Sequence, residues 1–380
     1  MPMATDPEAP RAAPTRRRAL GALGVAAWSA CSSTRAEAAQ QVRSDTLQVL
    51  TAWQTGGRAY AGVWTPQGTR WATALPDRAH QLLPLLGTGA GRRQQALVVA
   101  RRPGEYLARV DTRSGRLLQL HTMESDRYLG GHAVQSPDGR FIFTTESDGD
   151  TGQGLIAQRD THTLEVVREF ASGGIGPHAL LWANNGELMV ANGGILTLPE
   201  TGRRKRNIPR MEPNLSRIGT QSGQIREQFA LDDRFLSLRH LAMAPDGTLA
   251  VALQAEHADP ELRQAAPALA ILGPEGLKAV PWTAPPAAWQ GYAGDICWAG
   301  DTFWISSTYA GQVAGWSSSG EWRGAWPLQT AGALMPMASG FLAGGSQEAL
   351  LGALPTGTTG STVRHRLGQG WDNHAVLLSF

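Results

Sequence analysis

Short apolar runs alternate with turns rich in glycine, proline, asparagine and aspartate along most of this chain, and the alternation itself repeats. The unit is an apolar strand, a tight turn, a second apolar strand, a polar loop, a third strand, a turn and a fourth strand. His132-Ala-Val-Gln-Ser-Pro-Asp-Gly with Arg140-Phe-Ile-Phe-Thr-Thr aligns residue for residue with His240-Leu-Ala-Met-Ala-Pro-Asp-Gly and Thr248-Leu-Ala-Val-Ala-Leu. Pro-Asp-Gly supplies a fixed φ, an Asx-type side-chain hydrogen bond and a permissive glycine, the chemistry of a hairpin turn. Another copy starts at His178 with Asn184-Asn185-Gly186 as its turn, a looser one starts at His80, and two more begin near Ala293 and Ala333. Spacings of roughly forty to sixty residues suit four-stranded blades.

A seventh copy is divided between the chain ends. Segments 46–53, 58–64 and 70–75 supply three strands that lack a first, and His374-Ala-Val-Leu-Leu-Ser-Phe supplies it from the C-terminus. Pairing the two ends removes the free sheet edges that an open array would expose. The pattern therefore predicts an all-β fold, a seven-bladed β-propeller closed by pairing of the C-terminal strand with the N-terminal blade. Blades are covered on both faces, which is why runs such as Leu97-Val-Val-Ala are continuously apolar. A pair of sandwiches or a β-helix would not call for a terminal strand that fills the gap in the first repeat. Composition agrees, with 45 Gly, 23 Pro and 13 Trp but only two lysines, Lys205 and Lys278.

Residues 1–38 read as a twin-arginine-type export signal, and residues 39–380 as a single propeller domain. Arg16-Arg17-Arg18 precedes a weakly apolar run from Ala19 to Ala27, and Ala36-Glu37-Ala38 is a small-x-small cleavage site. The run is too short to span a bilayer. Cys31 raises lipid anchoring, which Trp28 disfavours because a lipobox takes an aliphatic residue there. Cleavage near Ala38 removes five arginines and three acidic residues, leaving 29 basic against 29 acidic. The expected location is the periplasm, with no transmembrane segment in the mature chain. Such a balance argues against nucleic acid, which calls for a concentrated basic surface; Arg203-Arg204-Lys205-Arg206 is an isolated basic stretch, read first as a solvated loop. Cys297 is expected to be a small buried apolar residue.

Five repeats open their first strand with histidine: His80, His132, His178, His240 and His374. First strands line a propeller's channel, so these residues should meet at one mouth. Ala293-Gly294 and Ala333 at the other two starts leave an arc with an open side. Neutral imidazoles converging without thiolates suit iron, copper or zinc. The competing reading is that each ring ties neighbouring blades together by donating to a carbonyl. Loops from second to third strands return to the same face and carry Arg101-Arg102-Pro-Gly-Glu105, Glu146-Ser-Asp148, Asn192-Gly193-Gly194 and Gln254-Ala-Glu256-His257. Such groups can bind a hard cation or orient imidazoles, and Glu146 is the leading carboxylate. The loop from Gly193 to Pro213 is long enough to cover the mouth.

Gly130-Gly131-His132-Ala-Val-Gln-Ser-Pro-Asp-Gly, Thr145-Glu146-Ser-Asp148, Gly174-Ile-Gly-Pro-His178, Ala191-Asn192-Gly193-Gly194-Ile195, Leu236-Ser-Leu-Arg239-His240 and Trp371-Asp-Asn373-His374 together resemble the bacterial family called domain of unknown function 1513. The likeness spans the mature chain. It implies an exported, propeller-like protein, often encoded beside imelysin-type periplasmic proteins of iron uptake. It also implies that the motif histidines, Glu146 and Asn192 are functional; Arg239 and Asn373, each adjacent to a histidine in the chain, are further candidates for the mouth. Ala133 and Ala179 stand where the family has glycine and an acidic residue, which puts a supporting contact beside His178 in doubt.

The leading expectation is a periplasmic accessory of metal handling, iron foremost and copper next, binding the metal or a metal-bearing partner such as an imelysin-type protein. The alternatives are a metal-dependent redox or hydrolytic enzyme at the same mouth, with its catalytic residues unspecified, and a protein-interaction scaffold. No Cys-x-x-Cys-His, G-x-S-x-G elbow or phosphate loop singles out a reaction.

Overall fold

The computed structural model describes residues 47–87, 94–198, 202, 204–282, 289–338, 340–353 and 362–378. The predicted export signal, Cys31 and the cleavage position lie outside them, as do Arg203 and part of the loop between Gly193 and Pro213. Among the described residues no helix is long and apolar enough to cross a membrane.

Seven four-stranded antiparallel sheets make up the fold, each in simple meander order. Blades 1 to 4 run over Ala79–Thr122, Arg127–Ile175, Pro177–Phe229 and Leu236–Ala279, and blades 5 and 6 over Asp295–Pro327 and Leu334–Arg366. Blade 7 combines Val49–Thr55, Arg58–Thr65 and Gly68–Leu75 with the C-terminal Ala375–Leu377. The last strand pairs Val49 with Leu377, Leu50 with Val376 and Thr51 with Ala375, which is the predicted closure. Innermost strands of consecutive blades touch all the way round, from blade 1 through blade 7 and back to blade 1.

Burial grades outward across each blade, and the sequence pattern follows it. Second strands such as Gln95–Ala100 and Leu188–Asn192 are buried nearly end to end, whereas the outermost strand Gln224–Phe229 is almost wholly exposed. The Pro-Asp-Gly turns are built as expected. The Asp138 carboxylate accepts from the Arg140 N–H at 3.1 Å, the Asp246 carboxylate from Thr248 N–H at 2.8 Å, and Gly139 and Gly247 take φ of 73° and 90°.

One local irregularity positions the site. In blades 1 to 4 the register between first and second strands breaks at the histidine, between Ala79 and Gln81, Leu129 and Ala133, Pro177 and Leu180, and Leu238 and Leu241. The first strands of blades 5 and 6, which carry no histidine, pair without interruption. A bulge frees one residue from the ladder and re-aims its side chain. Here it accompanies the inward turn of the four rings of blades 1 to 4, while His374 stands just ahead of the uninterrupted C-terminal strand.

Candidate metal centre

All five histidines meet at the axis, where they are 3–8% exposed. Ring centroids lie 4.6 Å apart for His80 and His374, 4.7 Å for His132 and His178, 4.7 Å for His178 and His240, and 4.7 Å for His240 and His374. The sequence suggested an arc with an open side; the rings instead close on one another across the axis, because His240 of blade 4 reaches His374 of blade 7. His240 Nε2 is 3.0 Å from His178 Nε2 and 3.1 Å from His374 Nε2.

Protons alone do not satisfy that arrangement. An imidazole nitrogen presents either one N–H or one lone pair in the ring plane. His240 Nε2 can therefore complete a good N–H···N bond with one neighbour and must oppose the other. His80 Nδ1 and Nε2, His132 Nε2, His178 Nδ1 and His240 Nδ1 have no hydrogen-bond partner among the described residues. One cation facing several lone pairs removes the conflict. Nitrogens from His80, His132, His178 and His240 all lie within 4.8 Å of one another. Nitrogens bound to a single ion at ~2.0–2.1 Å lie at most ~4.2 Å apart, so closure needs shifts of a few tenths of an ångström per ring.

The rings are electrostatically prepared for this role. Burial holds His80, His132, His178 and His240 well below the ordinary histidine range, and neighbouring imidazoles lower them further. At neutral pH each offers a lone pair instead of a positive charge. Charge from Arg101 is felt at His80, from Arg239 at His178, and from Arg239 and Arg102 at His240.

Sequence reasoning missed Asp295. It opens the first strand of blade 5, one residue past the small pair Ala293-Gly294, and its Oδ2 lies 3.1 Å from His374 Nδ1. The same oxygen accepts from Leu334 N–H at 3.1 Å, while Oδ1 accepts from Ile296 N–H at 2.8 Å. This is a carboxylate backing an imidazole whose other nitrogen faces the cluster, the arrangement that fixes tautomer and orientation in metal ligands. His240, Asp295 and His374 form a second group that could hold an ion. The available signal was a carboxylate at the head of the otherwise apolar Ile-Cys-Trp-Ala.

Ties between blades are carried by other residues. Thr145 Oγ1 lies 2.9 Å from the His178 carbonyl oxygen, Ser237 Oγ donates to Gly193 O at 2.7 Å, Gln254 to Ala293 O at 3.0 Å, and Ser306 to Gly332 O at 2.6 Å. Gln81 Oε1 accepts from Ala133 N–H at 2.6 Å. Among the described residues no cluster ring donates to a backbone carbonyl; the rings meet one another and, at His374, the Asp295 carboxylate. Gly131 makes room for them: at φ 109° it sits where an added Cβ would lie 2.5 Å from His80 Cδ2.

The remaining predicted residues divide. Arg239, Gln254 and Asn373 line a cavity of about 20 Å³ over His80, His178 and His240, together with Arg101, Arg102 and Tyr292. Glu105 lines an adjoining groove of about 680 Å³ that shares Arg101 and Arg102 and is also lined by Asp77 and by Gly202 of the long loop. Lys205 of that loop pairs with Glu256. Glu146 is fully buried but turned away from the axis, with Oε1 accepting from Arg159 Nε at 2.9 Å. Burial pushes its carboxyl above the ordinary range, against the pull of Arg159. Asp148 caps its own turn, accepting from Thr151 N–H at 2.8 Å, and pairs with Arg127 at 3.2 Å. Asn192 joins blades 2 and 3, accepting from Ser172 Oγ at 2.8 Å and donating to Asn214 and Ser216. Cys297 is a buried free thiol, as expected, and burial raises its pKa well above the ordinary range.

A family profile described as Protein of unknown function (DUF1513) matches residues 73–378. No curated protein matches the chain. Among solved structures it is similar to Kuenenia stuttgartiensis hydrazine synthase, at 13% identity over 81% of this chain and 92% of that one with a TM-score of 0.54. It is also similar to streptogramin B lyase, at 12% identity over 80% and 92% with a TM-score of 0.51. A functionally unknown protein from Desulfotomaculum acetoxidans DSM 771 matches at 11% identity over 87% and 98% with a TM-score of 0.56. At such identities the likeness is one of fold.

Proposed function

This chain belongs to the family described as Protein of unknown function (DUF1513), and we propose that it is a metal-handling accessory protein that binds a first-row transition metal, iron foremost, through the imidazoles at its axis. The observation that carries the reading is the convergence of nitrogens from His80, His132, His178 and His240 within 4.8 Å of one another, with His240 Nε2 set between His178 Nε2 at 3.0 Å and His374 Nε2 at 3.1 Å in a geometry that protons leave half satisfied. Neutral nitrogen ligands with a single supporting carboxylate and no thiolate favour iron, copper or zinc over calcium or magnesium. A propeller domain over residues 39–380, exported by a signal over 1–38, would carry the site in the periplasm. The double arginine at the N-terminus supports that location. The family resemblance supports iron over copper and an imelysin-type protein as partner.

The test is metal content and affinity of the purified mature chain, by elemental analysis and by titration with iron(II), copper(II) and zinc(II) under controlled redox conditions. The expected result is one ion per chain, lost in a His178→Ala, His240→Ala double variant that keeps its thermal transition. A wild-type chain that retains and gains no metal would overturn the reading.

A further inference from the structure

Tyr292 belongs to the wall of the 20 Å³ cavity above the cluster, together with His80, His178 and His240. Its backbone is fastened to the second strand of blade 4. Ala255 N–H donates to Gly291 O at 2.8 Å, Ala293 N–H donates to Leu253 O at 3.1 Å, and Tyr292 itself bridges to Gln254. The position of Tyr292 is therefore set by the sheet. Its ring packs on Tyr309, with centroids 4.5 Å apart and planes at 44°. Tyr309 stands on the turn between Thr302–Ser307 and Gln312–Ser317 of blade 5, where Gln290 Nε2 donates to its carbonyl at 3.5 Å and Gly311 N–H donates to Ser307 O at 3.0 Å. The chain has five tyrosines, and among the described residues this is the pair whose rings touch. The pair leads from the cavity to water, because Tyr309 is 62% exposed.

Packing does not call for two phenols here. A ring left mostly in water at a turn gains little from burial, and phenylalanine offers the same stacking faces. What tyrosine adds is a group that can give up one electron together with its proton. We propose that Tyr292 and Tyr309 form a redox relay that carries oxidising equivalents from the metal at the axis to solvent. The inference rests on the metal reading above and deepens it by assigning the bound iron a reaction with hydrogen peroxide. Iron(II) gives one electron, and Tyr292 gives one electron and its phenolic proton. The peroxide O–O bond breaks as it takes both electrons, that proton and one more from solvent, which yields two waters. Iron(III) and a Tyr292 phenoxyl radical remain. An electron then crosses the ring contact from Tyr309, which releases its proton to water while Tyr292 regains one. A water-soluble reductant such as ascorbate restores Tyr309 at the surface by giving it a hydrogen atom. The oxidising equivalent thus leaves a cluster of imidazoles, which are themselves oxidisable, without consuming them.

The test uses the mature chain loaded anaerobically with iron(II), its bound iron measured first, and then mixed with one equivalent of hydrogen peroxide. Freeze-quench electron paramagnetic resonance detects the radical, a nitroso spin trap with peptide mass spectrometry locates it, and the same peptides report oxidised histidine. Wild type is compared with Tyr292→Phe and Tyr309→Phe, each checked for iron content and thermal transition, and with zinc(II)-loaded wild type. Because Tyr309 is exposed, its variant is expected to fold and bind iron as wild type does. The expected result is a tyrosyl radical trapped on Tyr309 in wild type, retained on Tyr292 in Tyr309→Phe, lost in Tyr292→Phe and absent with zinc. Oxidation of the axial histidines should rise several-fold in both variants. Iron-loaded wild type that forms no tyrosyl radical, a radical that survives Tyr292→Phe or forms with zinc, or equal histidine oxidation in all three chains overturns the relay and leaves the metal site standing. A chain that binds no iron overturns both.

Discussion

Replacing Asp295 by asparagine keeps the shape of the side chain and changes its hydrogen-bonding options, which makes it a sharp probe of His374. The carboxylate now serves three N–H groups: Ile296 and Leu334 from the backbone at 2.8 and 3.1 Å, and His374 Nδ1 at 3.1 Å. An asparagine oxygen can replace only one carboxylate oxygen. If its amide faces His374, it donates to Nδ1, drives the ring proton to Nε2 and removes the lone pair that points at the cluster. If it is flipped, the amide opposes the Ile296 N–H. Loss of a carboxylate behind a metal-bound histidine costs roughly 10–100-fold in metal affinity, and the lost charge-assisted bond costs about 1.5–3 kcal/mol of stability. Competition against a chromophoric chelator measures the first, and urea denaturation of the metal-free chain the second. An Asp295→Asn chain with wild-type metal affinity would show that His374 is not a ligand held by Asp295.

Three further outcomes follow from the same geometry. The neutral, buried cluster makes stability fall with acid: the depressed rings stay unprotonated in the native state while the unfolded chain takes up protons below about pH 6.5, so stability is full above that pH and drops by up to about 1.4 kcal/mol per ring per pH unit beneath it; thermal melts of the metal-free chain between pH 7 and 5.5 should show it, and a pH-independent melt would contradict the burial argument. Gly131→Ala sets a Cβ against His80 and forces alanine to φ 109°, for a loss of roughly 1–3 kcal/mol from the backbone alone and weaker metal binding, read by denaturation and titration. Glu146→Gln weakens the buried pair with Arg159, which keeps Glu124 at 3.1 Å, at a cost of about 1.5–3 kcal/mol but should leave metal affinity intact; a selective loss of metal binding would instead place Glu146 in the site.

The propeller was legible because its signals are local and repeated. The aligned Pro-Asp-Gly turns and the strand missing from the first repeat together specify a closed ring, and His374 to Leu378 returns to Leu50 as required. Convergence of the histidines followed from equivalence of the first strands. The bulges that aim them did not, because a one-residue register break leaves no residue type behind in blades as different as His80 with Gln81 and His240 with Leu241. The direction of the Glu146 side chain was hidden for a related reason. Side chains alternate across a strand, so Thr145 faces the His132 and His178 backbones while Glu146 shares the opposite face with Thr144 and meets Arg159. A loop can lie on the right face of the molecule while its carboxylate points into a blade. Asp295 went unnoticed because the small pair ahead of it suggested a gap, whereas its side chain crosses that gap to His374.

The most direct test of the account is anomalous diffraction from crystals of the metal-loaded chain, collected on either side of the metal's absorption edge. One strong peak is expected among the ring nitrogens at the axis, within bonding distance of at least three of the five imidazoles. An ion found instead on the acidic surface loops, or the five rings unchanged around no peak in a chain that carries metal, would contradict it.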